Sequence, residues 1–172
     1  MRINWLLLAS FIPSAALISI GSQALADEPK LLGEHGAWKT YSFTEKGSKT
    51  CYALSQPSNS LPKNVRRDPV YLLVTNKLKP RVNNEISVIT GYPYKKNSTT
   101  TANIGGAKFN MYTNNDGAWV DGAPLQKRMI TTMKNGNTMI VKGTSSRGTL
   151  TTDTYSLAGF TAALNQVNEA CK

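Results

Sequence analysis

Along most of this chain apolar and polar positions change places at every second residue, the period of a strand with one face turned inward. In KTCYALSQ (49–56), Cys51 and Ala53 alternate with Tyr52 and Leu54. Pro69 opens the β-branched and aromatic run Val70-Tyr71-Leu72-Leu73-Val74-Thr75, and EISVIT at 85–90 repeats the pattern. Pro57, Ser58, Asn59, Ser60 and Pro62 form a loop between the first two, and Lys79-Pro80 ends the second. Farther on, Gly105-Gly106 separates Ala102-Asn103-Ile104 from 107–113, and Asn114-Asn115-Asp116-Gly117 is a turn before Ala118-Trp119-Val120. The stretches 138–143 and 149–155 flank Thr144-Ser145-Ser146-Arg147-Gly148 as one more hairpin. About eight short strands at this spacing predict a mainly β chain, an antiparallel β-sandwich or barrel-like single domain.

Two segments change to the helical period. Over 124–134, Leu125, Met129, Ile130 and Met133 fall on one face, Pro124 suits the first turn and Asn135-Gly136 supplies a stop. Over 157–170, Phe160, Leu164, Val167 and then Cys171 recur at spacings of four, three and four, with Ser156 as the expected cap. That stripe turns Cys171 toward the body of the domain and toward Cys51 in the first long strand. With two cysteines outside the cytoplasm only one intramolecular pairing exists. A loop of 120 residues closed in this way contributes roughly 4–5 kcal/mol in the chain-entropy picture.

The cytoplasm is left behind because of the first 26 residues. Arg2, an apolar run from Trp5 to Ile20 broken by Pro13, and Ala24-Leu25-Ala26 before Asp27 have the layout of a cleavable signal peptide, with an uncleaved membrane anchor as the alternative. We expect a signal peptide at 1–26, a single domain at 27–172, no transmembrane segment after cleavage and a periplasmic or secreted location in the cell envelope. No cysteine near the cleavage point would make a lipoprotein.

Charge adds a candidate partner class. The chain carries 20 Lys and Arg against 10 Asp and Glu, and loss of the leader removes one of the basic residues, Arg2. The densest basic stretch holds Lys63, Arg66, Arg67, Lys77, Lys79 and Arg81 against Asp68, and is the candidate anion or partner surface. Such a balance attracts anionic lipid, glycan or an envelope or host protein. Nucleic acid is not expected, because no interleaving of basic and aromatic residues makes a stacking platform.

Candidate chemistry is sparse. His35, the only histidine, lies nine residues from the expected mature N-terminus, where chains are often loosely held. Residues 143–148 read as hairpin turn chemistry rather than a nucleophile elbow. Gly105-Gly106 lacks the Lys and Ser/Thr of a phosphate loop, and the spacing of pairs such as Asp116 and Asp121 does not put two carboxylates on one cleft. No standard metal-ligand spacing occurs, so no cofactor, metal or enzymatic activity is expected. Trp119 beside its turn reads as a packing aromatic, with sugar stacking or protein contact as the alternative. Arg147 reads as a solvated turn residue. Tyr92-Pro93-Tyr94 with Lys95-Lys96 reads either as a binding loop or as a strand end running into a disordered polar stretch at 97–101.

Several strings together carry a family resemblance: Cys51-Tyr52-Ala53-Leu54-Ser55-Gln56-Pro57, Arg67-Asp68-Pro69-Val70-Tyr71, Asn84-Glu85-Ile86-Ser87, Gly91-Tyr92-Pro93, Asp116-Gly117-Ala118-Trp119, Val141 to Gly148 and Asp153 to Phe160. Over nearly all of the expected mature chain they resemble the invasion-associated locus B family of alphaproteobacteria. The resemblance implies an exported, β-rich, disulfide-bearing domain of the envelope, with a link to host-cell invasion in some pathogens and no enzymatic chemistry. Many family members carry an additional cysteine soon after a tryptophan like Trp38, where this chain has Tyr41 and Ser42. The reading is therefore a non-catalytic envelope or surface protein engaged in host-cell interaction or envelope integrity. A periplasmic small-molecule-binding module or cryptic hydrolase is the alternative; it calls for an apolar pocket on which His35 or paired carboxylates converge.

Overall fold

A computed structural model describes residues 28–172. The leader expected at 1–26 lies outside the described residues. Eleven strands form one antiparallel sheet: β1 (Lys30–His35), β2 (Trp38–Glu45), β3 (Ser48–Ser55), β4 (Asn59–Leu61), β5 (Tyr71–Lys77), β6 (Val82–Ile89), β7 (Thr99–Ile104), β8 (Ala107–Asn114), β9 (Gly117–Trp119), β10 (Thr138–Thr144) and β11 (Leu150–Ser156). Two helices, α1 (Ala123–Asn135) and α2 (Phe160–Ala170), complete a mainly β, sandwich-like domain. The strand order is β1-β2-β3-β5-β6-β9-β8-β7-β10-β11-β4, so the sheet keeps two edges and does not close as a barrel.

The sheet is nevertheless rolled. β4 follows β3 after three residues yet pairs with β11, far along the sheet, and Ser58 N–H donates to Thr154 O at 2.8 Å. The β1–β2 turn likewise meets the β11–α2 junction, where Ala37 N–H donates to Ala158 O at 3.1 Å. Curling gives every strand an inner and an outer row. Leu72 and Val74, Ile86 and Val88, Ala102 and Ile104, Met139 and Val141 are buried inward, as their alternation demands.

Both helices fill the concave side. α2 packs on β1, β2, β3 and β5, while α1 packs on β6, β8 and α2. Met129, Ile130 and Met133 of α1 and Phe160, Leu164 and Val167 of α2 are buried, which are the stripes expected from their spacing. Phe160 meets Trp38 with ring centroids 5.0 Å apart, and Trp38 Nε1–H donates to Ser156 O at 3.2 Å. Cys51, inward on β3, is bonded to Cys171 at the end of α2 with a Cα separation of 5.9 Å.

Four expectations are corrected. There are eleven strands rather than about eight; β1, β2 and β4 are the additional ones. β1 has no apolar alternation, and its two exposed or half-exposed faces reflect its edge position. The segment 97–101 is not disordered: β7 begins at Thr99 and is paired on both sides, by β8 and β10. Finally, α2 starts at Phe160 rather than 157, and Ser156 is not its cap. Ser156 stays in β11, and Gly159 turns the chain at φ 88°; a Cβ there would lie 2.0 Å from His35 O.

Because the Cys51–Cys171 bond ties α2 to the sheet across 120 residues, the Cys51→Ala/Cys171→Ala chain is expected to lose about 2–5 kcal/mol of unfolding free energy in urea titrations. An unchanged midpoint and slope would show that α2 is held by packing alone.

Candidate functional site

The most polar part of the interior is built where β11 turns an acid inward. Thr151, Asp153 and Tyr155 occupy the inner row, and Asp153 is 1% exposed. A carboxylate taken out of water needs a cation and hydrogen bonds to compensate its lost hydration. Arg67, in the loop before β5, supplies both: Nη1 and Nη2 donate to the two carboxylate oxygens at 3.0 and 2.7 Å. Its Nε–H donates to Thr90 O at 3.0 Å, and its guanidinium carbon lies 5.1 Å from the centroid of the Tyr92 ring. This planar, bidentate arrangement suits arginine and not lysine.

Tyr92 and Tyr94 extend the cluster. The Tyr92 hydroxyl pairs with Thr151 Oγ1 at 2.5 Å, and the two tyrosine rings meet edge to face at 5.5 Å. Tyr94 bridges to Ser145 in the β10–β11 connection and lies over Gly143, where a Cβ would come 2.5 Å from its ring. Burial raises the phenol pKa of Tyr92, Tyr94 and Tyr155, since the ionised form would lose its hydration. Tyr92-Pro93-Tyr94 therefore anchors a buried cluster, and Lys95 and Lys96 project beyond it, exposed.

The structure divides the candidate anion surface. Arg67 is committed to Asp153, with 9% of its side chain exposed, so its charge is spent inside. Lys63 and Arg66 are exposed in the connection between β4 and β5; Lys63 donates to Asn59 Oδ1 of β4 at 2.5 Å. Lys77, Lys79 and Arg81 lie at the far end of β5, a strand roughly 20 Å long at 3.3 Å per residue. One end gains Arg147, whose guanidinium donates to Arg66 O at 3.3 Å across an open groove of about 330 Å³ that also touches Tyr92 and Pro93. The other end gains Lys46 and Lys49 from the β2–β3 hairpin. Leu78 N–H donates to Lys49 O at 3.0 Å, and Ser48 Oγ donates to Lys79 O at 2.6 Å.

The remaining candidates do not converge. His35 is not loosely held: it ends β1 and donates from Nε2 to Gln166 Oε1 on α2 at 2.7 Å. Asp116 and Asp121 are both exposed, one in the β8–β9 turn and the other before α1. Trp119 lies flat over Gly117, where a Cβ would meet its ring at 2.1 Å, and stacks on Tyr112 with centroids 5.9 Å apart. Among the described residues no cluster of three metal-ligating side chains occurs, and no helix is long and apolar enough to cross a membrane. Sequence reasoning missed Asp153, although an acid at the inward register between Thr151 and Tyr155 was the available signal.

Removing one partner of the buried pair strands the other, so Asp153→Ala is expected to cost about 3–5 kcal/mol in urea unfolding, and Arg67→Met/Asp153→Leu to recover most of it. A smaller loss in the double variant than in the single one is the decisive comparison. Tyr94 and Tyr155 make a second prediction. Above pH ~10 the unfolded chain ionises these phenols while the folded chain retains their protons, so stability falls as pH rises, by up to about 2.7 kcal/mol per pH unit for the two groups. Below that pH the two tyrosines leave stability flat. Phenolate absorbance is expected to reach its full amplitude only as the chain unfolds.

Comparison with known proteins was informative at the family level alone. No curated protein and no solved structure matches the chain. The family model described as "Invasion associated locus B (IalB) protein" matches residues 38–168. That span starts at the tryptophan packed under α2 and includes Arg67, Tyr92, Gly143 and Asp153, the parts of the buried cluster. The chain belongs to the invasion associated locus B family.

Proposed function

We propose that this protein is an exported, non-catalytic interaction protein of the bacterial envelope, periplasmic or secreted, whose basic surface binds polyanions and so contributes to envelope integrity or host contact. One observation carries the reading: two neighbouring hairpins bring Lys46, Lys49, Lys77, Lys79 and Arg81 to the same end of the sheet. Among the described residues none of these five is in an ion pair. Glu45 and Glu85 are the acids on the same strands, and they leave the end net positive. Cations gathered in this way, with Lys46, Lys79 and Arg81 exposed and Lys49 and Lys77 half-buried, attract an anionic surface at long range and lose the attraction as salt screens it.

The absence of catalysis is part of the proposal. Its support is that His35 is occupied by Gln166 and that the buried acid Asp153 is occupied by Arg67, so neither general base faces a groove. Support for export is the layout of the leader and a bonded cysteine pair.

Lys77→Glu/Lys79→Glu/Arg81→Glu is expected to weaken binding to heparin and to anionic vesicles about tenfold or more at low salt, with the wild-type affinity itself falling steeply toward 0.15 M salt. Equal, salt-independent affinities for the two proteins would refute the reading.

A further inference from the structure

The helices occupy the concave side of the rolled sheet, and its convex side is unusually rich in aromatic side chains. Cross-strand register places them in rows. Tyr41 on β2 faces Tyr52 on β3, stacked at 5.3 Å, and Phe43 meets the same Tyr52 edge-on at 6.2 Å. A second row continues from Leu54 on β3 through Leu73 on β5 and Ser87 on β6 to Trp119 on β9 and Tyr112 on β8. Tyr71 and Ile89 form a third pair on the same face. These side chains are half-buried against one another, and Tyr112 is 53% exposed. Among the described residues no helix or strand lies over them.

The charges of this face complete the pattern. Lys77 and Lys108 point outward from its strands, and Lys46, Lys79 and Arg81 stand at the adjoining turns. Facing them are Glu45, Glu85 and, in the β8–β9 turn, Asp116, while Glu34 is taken up by Lys39 at 2.8 Å. The face is therefore net positive. A second copy of this chain would set like charges against each other, whereas an anionic surface would neutralise them. The ring neighbours Leu54, Leu73 and Ile89 offer no hydrogen bonds to sugar hydroxyls, which a glycan platform would need. Tyrosine and tryptophan with an apolar body and a polar tip, ringed by long cationic side chains, are the side chains that settle at a lipid headgroup boundary.

We propose that the convex face of β2, β3, β5, β6, β9 and β8 is a membrane-docking surface that lies on an anionic lipid bilayer, its aromatic rings at the headgroup boundary and its lysines on the lipid phosphates. The inference rests on the polyanion reading above and adds the partner and the orientation. Trp119 is central to it, because its indole lies on the outer surface of the sheet, in the space left by the missing side chain of Gly117 and stacked on the exposed Tyr112.

The test uses the chain expected after loss of the leader, 27–172, which lacks Trp5, with vesicles of phosphatidylcholine containing about 30% phosphatidylglycerol and brominated lipid as a quencher of tryptophan fluorescence. Trp38 is fully buried, so the difference between wild type and Trp119→Phe isolates position 119. Expected are quenching that disappears in Trp119→Phe and a partition coefficient lowered roughly fivefold or more in Tyr52→Ser/Leu73→Ser, with unchanged circular dichroism. If that double variant does not fold, the quenching at 119 still decides. Vesicle binding without quenching at 119, or heparin binding without vesicle binding, would overturn the docking surface and leave the polyanion reading standing. Binding to neither would remove both. A dimer that the double variant abolishes would assign the face to a second copy and overturn the proposal.

Discussion

The seating of α2 in the concave side of the sheet is the constraint on which the remaining structure depends. Phe160 against Trp38, the inward stripe of Leu164 and Val167, and the Cys51–Cys171 bond hold one helix across β1, β2, β3 and β5. A sheet this wide has two faces to dispose of, and its curvature decides which is filled. Once α2 and α1 take the inside, the apolar residues of the outer rows pack only on one another within the described chain. The core and the exposed aromatic face are consequences of the same packing.

Rolling also brings distant polar groups together. Asp153 is separated from Arg67 by 86 residues, yet the curl that lets β4 reach β11 sets the loop before β5 beside the inner row of β11. The carboxylate is tolerated there because the guanidinium satisfies it in bidentate fashion and Thr90 O takes up the remaining Nε–H. This pair changes the meaning of the basic stretch. One of its members is structural, and the others are sent to opposite ends of a seven-residue strand. At each end the cations acquire neighbours from elsewhere in the chain, Arg147 in one case and Lys46 with Lys49 in the other. Charge density along a sequence thus gave way to charge density in space.

Much of the fold was legible from local periodicity. β5, β10 and β11 show strict alternation because each has one face in the core, β3 and β6 keep it over part of their length, and the Gly105-Gly106 and Asn114–Gly117 turns adopt the positive φ values that their residues favour. β1 and β4 were not legible, since edge strands bury little and so carry no pattern. β7 was obscured at its start by Thr99-Thr100-Thr101, which is polar in composition but suits a paired strand, as β-branched residues do. Trp119 was correctly read as a packing residue, yet its outward face follows from Gly117 beneath it and Tyr112 beside it.

By itself the sequence determined a β-rich chain with two amphipathic helices, one possible disulfide and an excess of positive charge, because each of these is written in residue type and short-range spacing. Only the tertiary structure decided which arginine is buried, which lysines meet, and which side of the sheet is left bare. Those outcomes depend on strand order and curvature, and both are set by contacts between residues too far apart in the chain for any local pattern to record.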